Sequence, residues 1–255
     1  MKFFLRIVAV GLVLLNVSGF AASVQRDICL LLDGSGSIGS SDWQLQLQAN
    51  ADAIKDPNIV PQDGSIAISV VQFSSTAQVE VSRTIITDQT TADNVANQIL
   101  SINQMGGGTY MSTGINTCAQ TIDTTNSNTK KIIDISTDGQ ASDLSATLTA
   151  ADNAYNNNNI IINAIGVGSG VDVNELNQIV RPQPASQIPN DGFVVLAPDY
   201  QHYNDSLKEK LKAETGQVTQ SVAVPLSNSS KLLMIFGIIA LVGFFYQRRE
   251  SSSHI

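Results

Sequence analysis

Five apolar residues, Ile28 to Leu32, run straight into Asp33 and then into Gly34-Ser35-Gly36-Ser37-Ile38-Gly39. A short, unbroken apolar run that stops at a glycine-rich turn is the pattern of a strand buried on both faces, as in a parallel sheet. Helical spacing follows at once. Trp43, Leu47, Ala51 and Ile54 fall on one face, with Ser41 as the expected N-cap and Asp42 in the first turn. A strand that hands over to a helix in this way needs a crossover, so the chain is constrained to an α/β architecture in which ligands sit at the carboxyl ends of the strands.

The remainder of the chain repeats the alternation. Strands are expected at 65–73, 132–136, 160–167 and 193–196. Ala77, Val79 and Val81 alternate with polar residues and read as an edge strand, turned back on its predecessor at Ser74-Ser75. Helical faces are Asp93 to Ile102, then Ile115, Cys118, Ala119 and Ile122, then Leu144, Leu148, Ala151 and Tyr155, which the Asn156 to Asn159 run ends. Val173 to Val180 forms a short helix, and Tyr200, Tyr203, Leu207 and Leu211 mark a closing one. The fold class is α/β: a doubly wound, mostly parallel sheet with an antiparallel edge strand and helices on both faces.

The loop after Leu32 admits three chemistries. Gly34, Gly36 and Gly39 spell the dinucleotide fingerprint in a strand–helix context. Asp33, however, would stand where a pyrophosphate approaches, and like charges repel there. The second strand also ends on Gln72 and Phe73 without the expected acidic residue, and Ser40 stands where a P-loop needs lysine. Alternatively, Asp33, Ser35 and Ser37 at i, i+2 and i+4 of a tight turn can converge as hard oxygen ligands on a divalent cation. The third option is a plain Gly/Ser turn with Asp33 beside a helix N-terminus.

Two further segments bear on the choice. Gly106-Gly107-Gly108-Thr109-Tyr110 offers a hydroxyl just before a helix, and Lys131 to Gly139 is a strand ending on Asp138-Gly139. With this ordered set the chain resembles the von Willebrand factor type A (vWA) family over about residues 26–213, a Rossmann-like fold. The resemblance implies a metal-ion-dependent adhesion site (MIDAS) carried by Asp33, Ser35, Ser37, Thr109 and Asp138. It implies Mg²⁺ or Mn²⁺, with Ca²⁺ also admissible, and a protein ligand whose acidic side chain completes the coordination. By the same resemblance, the closing helix from Tyr200 to Leu211 is the part that moves if the site changes affinity.

Both ends of the chain read as targeting segments. Lys2 and Arg6, the apolar Ile7 to Leu15 and the small-residue site at Gly19-Phe20-Ala21 describe a secretory signal over residues 1–21. Residues 22–213 form the vWA domain and 214–230 a Ser/Thr/Gln/Val linker. Residues 231–249 hold the apolar run Leu232 to Tyr246, short against the roughly 20 residues that span a bilayer, followed by Arg248 and Arg249 on the expected cytoplasmic side. Residues 250–255 are a short tail. Segment 231–249 reads either as a membrane anchor or as a sorting segment. It resembles exosortase-processed signals of Gram-negative bacteria, with Val224-Pro225-Leu226-Ser227 in place of the usual Pro-Glu-Pro. The domain is thus expected on the outer side of a membrane (cell surface, periplasm or exterior), with the membrane as a partner through its carboxyl-terminal segment.

From Ala22 to Pro225 there are 21 Asp and Glu against 9 Lys and Arg, a net charge of −12. That excess argues against nucleic acid and anionic membrane surfaces as partners. The two cysteines, Cys29 and Cys118, both fall on apolar faces. They read either as buried thiols or, in an oxidising compartment, as a bridge closing a long loop, worth about 4–5 kcal/mol. Only His202 and His254 occur, so no Ser-His-Asp, Cys-His or zinc constellation can be assembled. The sequence therefore points to a cation-dependent interaction module and away from an enzyme. The rival readings are an assembly module in which metal is incidental and an NAD-linked enzyme on the 34–39 loop.

Overall fold

The computed structural model describes residues 23–218. The signal segment, most of the linker and the apolar carboxyl-terminal segment lie outside the described residues. Among the described residues no helix is long and apolar enough to cross a membrane.

The chain alternates as expected. In order it runs through β1 (Arg26–Asp33), α1 (Ser40–Lys55), β2 (Ile66–Phe73), β3 (Ala77–Ile85), α2 (Gln89–Leu100) and α3 (Met111–Thr121). There follow β4 (Lys130–Thr137), α4 (Leu144–Asn158), β5 (Ile160–Val167), α5 (Val173–Ile179), β6 (Val194–Ala197) and α6 (Tyr200–Thr215). The six strands form one sheet in the order β3-β2-β1-β4-β5-β6. All neighbours are parallel except β2 and β3, which form an antiparallel hairpin at the edge.

Alternation along each strand divides the core in two. Ile28, Leu30, Leu32, Ile132 and Ile165 join one apolar cluster with residues of α1, α2 and α6. Cys29, Leu31, Ile133, Ile135, Ile162 and Ala164 join the other with α3, α4 and α5. Each fully buried Leu or Ile contributes about 1.5–3 kcal/mol, which holds β1 and β4 at the centre of the sheet. On the second face α3 comes close to β1. A Cβ on Gly114 would stand 2.7 Å from Leu31 Cδ1, so only glycine allows that approach. There Cys29 of β1 and Cys118 of α3 form a disulfide, their Cα atoms 5.7 Å apart.

Several local expectations give way to packing. The N-cap of α1 is Gly39 rather than Ser41, with no side-chain cap bond. In β3 only Val81 is buried, and Val79 is 41% exposed. The register slips between Ile68 and Val71 of β2, breaking the period-two alternation. The buried stripe of α4 is Thr147, Ala150, Ala151 and Ala154, so Leu144, Leu148 and Tyr155 lie at its margin. Finally, α6 continues through Glu214 and Thr215, both buried, so the domain extends past residue 213 and the linker does not start at 214.

Candidate functional site

At the carboxyl end of the sheet, β1 and β4 lie side by side and each releases an acidic residue. Asp33 is the last residue of β1 and Asp138 the first after β4. The 34–39 turn folds over them. Ser35 donates its backbone N–H to Asp33 Oδ1 at 2.8 Å, and the Thr137 hydroxyl donates to Asp33 Oδ2 at 2.7 Å. Ser35 and Ser37 hydroxyls lie 3.0 Å apart, and Ser37 donates to Asp138 Oδ1 at 2.7 Å. Thr109 arrives from the loop before α3, with its hydroxyl 3.9 Å from where a Cβ on Gly139 would stand. Its loop is fixed to the start of α4 by Ser142, whose backbone N–H donates to Thr109 O and whose hydroxyl accepts from Thr109 N. Asp33, Ser35, Ser37 and Asp138 are thus linked in one hydrogen-bonded chain at the strand ends, and Thr109 lies beside it next to Gly139.

Burial pushes the Asp33 carboxyl up to about 6, against the lowering effect of its Thr137 and Ser35 hydrogen bonds, and the charge of Asp138 adds to the rise. Asp138 is also raised, first by burial and in small part by Asp42, while the Ser37 hydroxyl opposes the shift. Two carboxylates held above their usual range, with the Ser35 and Ser37 hydroxyls against them and Thr109 beside Gly139, form a hard, oxygen-only donor set that favours a small divalent cation. Among the described residues no three of His, Cys, Asp and Glu gather into one metal site. Any cation here would therefore rely on the serine and threonine oxygens.

The backbone of the turn is already committed. Gly36 N–H bonds Gly107 O at 2.9 Å, Gly106 N–H bonds Gly34 O at 2.8 Å, and Ile38 N–H reaches Ser35 O. The amides that would cradle a pyrophosphate are thus spent on Asp33 and on the 104–108 loop. Gly34 is glycine because a Cβ would overlap the Gln72 side chain, 2.1 Å from its Oε1. These contacts take up amides of the 34–38 turn and count against a dinucleotide at the G-x-G-x-x-G match.

Sequence reasoning missed the residues that hold this turn. Gln104 Nε2 donates to the carbonyls of Ser35 and Ile38, both at 2.9 Å. Gln46 Nε2 donates to Asp33 O, and Gln72 bridges Asn103 O and the Met105 amide. The signal was present: Gln46 and Asn50 interrupt the apolar stripe of α1, and Gln72 is a polar residue in an otherwise apolar strand end. Tyr200, at the start of α6, is buried with an unpartnered hydroxyl. Burial raises its pKa, and the nearby charges of Asp138, Asp33 and Asp42 raise it further.

Residues 23–219 match the family model described as "Protein of unknown function (DUF1194)". The chain belongs to the DUF1194 family. Its domain is also 34% identical over 119 residues to cochlin from Cavia porcellus, covering 46% of this chain and 21% of cochlin. The fold recurs in proximal thread matrix protein 1 from the mussel byssus, solved with a zinc-occupied MIDAS motif. There the TM-score is 0.62 at 20% identity, over 76% of this chain and 48% of that one. A von Willebrand factor type A structure from Catenulispora acidiphila gives a TM-score of 0.61 at 18% identity, over 76% and 43%. The DUF1194 domain therefore has a vWA-like fold, and it spans about a fifth of the length of cochlin.

Proposed function

We propose that this protein is an exported interaction module that binds a protein ligand through a divalent cation, held by Asp33, Ser35, Ser37, Thr109 and Asp138. The observation that carries the reading is the meeting of two raised carboxylates and the Ser35 and Ser37 hydroxyls at the carboxyl ends of the two central strands, with Thr109 beside Gly139. The zinc-occupied MIDAS motif of the mussel protein supports a divalent cation in this fold, and the hard donor set favours Mg²⁺ or Mn²⁺. A bound cation supplies an electrophilic point to which an outside carboxylate is drawn. Asp33, fixed by Ser35 and Thr137, balances charge from beneath. Ser35 and Ser37 present neutral oxygens, and Asp138 and Thr109 close the rim. Two carboxylates balance a divalent charge, but five side chains do not fill the six-fold oxygen shell that Mg²⁺ demands, and the open position suits an Asp or Glu of the partner. The signal-like amino terminus and the Cys29–Cys118 bridge support export. Display at a membrane rests on segment 231–249 as either an anchor or a sorting segment.

The rival reading is an assembly module in which metal is incidental. Thermal unfolding in chelator, Mg²⁺, Mn²⁺ and Ca²⁺ separates the two, with and without an Asp-containing peptide. The interaction reading requires a cation-dependent rise that Asp138→Ala abolishes, and a further rise from the peptide only when cation is present. Unfolding indifferent to cation, with ligand binding that survives chelator, favours the assembly module.

A further inference from the structure

Between β4 and the last two turns of α6, three ionisable side chains lie out of reach of water. Lys210 is 0% exposed, and Asp134 and Glu214 are each 1% exposed. Lys210 Nζ contacts Asp134 Oδ1 and lies 2.8 Å from Glu214 Oε1. The amine lies against one Asp134 oxygen, yet neither oxygen of Asp134 receives a hydrogen bond of ordinary geometry.

The surroundings hold this arrangement rigidly. Asn163 is Asp134's neighbour across the β4–β5 ladder. Its Nδ2 donates to Glu214 Oε1 at 2.9 Å, while its Oδ1 accepts from the backbone of Gly192 and Phe193. The Phe193 ring lies 5.8 Å from Lys210 Nζ. Leu30 is Asp134's neighbour on the β1 side, and Leu207 and Leu211 are buried on the same helix as Lys210. As an ion cluster the group would hold two carboxylates against one ammonium, with no solvent to offset the remaining charge. Burial, and then the charge of Glu214, drive the Asp134 carboxyl well above its ordinary range, with Lys210 opposing.

We propose that Lys210 Nζ and Asp134 Cγ are joined by an intramolecular isopeptide bond that the folded chain forms by itself, with Glu214 as the catalytic proton carrier. A proton passes from the ammonium to Asp134, giving an amine and a carboxylic acid. The nitrogen lone pair attacks Cγ, the N–C bond forms, and the carbonyl electron pair moves onto oxygen. Glu214 takes a proton from the nitrogen and returns it to the departing hydroxyl. The C–O bond breaks and water leaves. An ammonium and a carboxylate become an amide and one water, Glu214 ends in the protonation state in which it began, and no oxidant or cofactor is consumed. Confinement of amine, acid and proton carrier within contact distance supplies the orientation, and exclusion of water disfavours hydrolysis.

The bond gives the molecule a cross-link on each face of the sheet. The disulfide ties β1 to α3 on one side, and the amide ties β4 to α6 on the other. It also fixes the carboxyl-terminal half of α6 to the sheet, leaving the end that carries Tyr200 as the only part of that helix free to shift.

The test is the intact mass of the purified, reduced and denatured full chain, compared with Lys210→Arg and Glu214→Gln prepared in parallel. The expected wild-type mass is one water below that of its sequence, with fragmentation placing the branch between Lys210 and Asp134. Both variants are expected at full mass, Lys210→Arg with its charge retained. A folded wild-type chain at full mass overturns the proposal in favour of an ion cluster. A missing water that persists in Lys210→Arg, or that maps to another pair, overturns it equally.

Discussion

Asp134 and Asp138 are carboxylates of the same segment, four residues apart, with Ser136 between them. Asp134 faces α6 from the middle of β4 and meets a buried amine. Ser136 shares its hydroxyl with Tyr203, which also accepts from Asn50. Asp138 has just left the strand, is half-buried, and meets hydroxyls from a glycine turn. The two differ in access to water rather than in chemistry. At the strand end a carboxylate keeps exchangeable neighbours and suits a cation that comes and goes. Two turns of α6 further, from Tyr203 to Lys210, the same group is committed to a permanent partner.

The contrast can be broken most severely at Lys210. With the amide in place, Lys210→Met removes the covalent tie between β4 and α6, at a cost of about 4–5 kcal/mol in denaturant unfolding. Asp138→Ala in chelator is expected to change stability far less. Equal effects of the two substitutions would erase the distinction between the regions.

Cation sharpens the comparison from the other side. At a hundredfold its dissociation constant, Mg²⁺ or Mn²⁺ should stabilise the protein by about 2.7 kcal/mol. Asp138→Ala should remove that gain and Glu214→Gln should keep it, as read by thermal unfolding in paired samples.

The pH dependence of the metal-free site has a definite sign. Asp33 titrates near 6 in the folded chain against 3.8 for an ordinary aspartate. Because the folded pKa is the higher one, its contribution is fully present below pH 3.8 and is lost as pH rises through 6. The difference between wild type and Asp33→Asn in chelator should therefore shift by about 3 kcal/mol across that window, with wild type losing ground toward neutral pH. A difference that stays flat would mean that Asp33 is not desolvated.

The smallest effect is expected at Gln104, which holds two carbonyls of the turn. Gln104→Ala should cost roughly 1–2 kcal/mol and weaken cation binding, because the turn loses its clamp while every donor stays in place.

The strand order and the residues gathered at the strand ends were legible because both depend on local pattern. The apolar run at Ile28 to Leu32 needs a buried central strand. Asp33, Ser35, Ser37, Thr109 and Asp138 each sit at a strand end or loop that sequence marks with glycine. Residues whose role depends on what packs against them were not legible. Lys210 and Glu214 fall on the same stripe of α6 as Tyr203, Leu207 and Leu211, and Asp134 sits inside an apolar strand. Each departs from its local pattern, but only the pairing of β4 with β5 and the descent of α6 across that face show that the three departures meet. The edge strand misled for a related reason: β3 carries two more residues than β2 between the Ile68–Thr84 and Val71–Val79 pairs, and that irregularity puts Val79 and Val81 in different surroundings although they are two apart in sequence.

The central claim is that the five oxygen-bearing side chains at the sheet's carboxyl end hold one divalent cation. Titration of the protein with Mn²⁺, followed by the loss of the free-ion electron paramagnetic resonance signal, tests it directly. The account predicts one Mn²⁺ bound per chain, displaced by Mg²⁺, and lost in both Asp138→Ala and the Ser35→Ala/Ser37→Ala double variant. An unaltered free-ion signal at millimolar Mn²⁺, or binding that both variants retain, would contradict it.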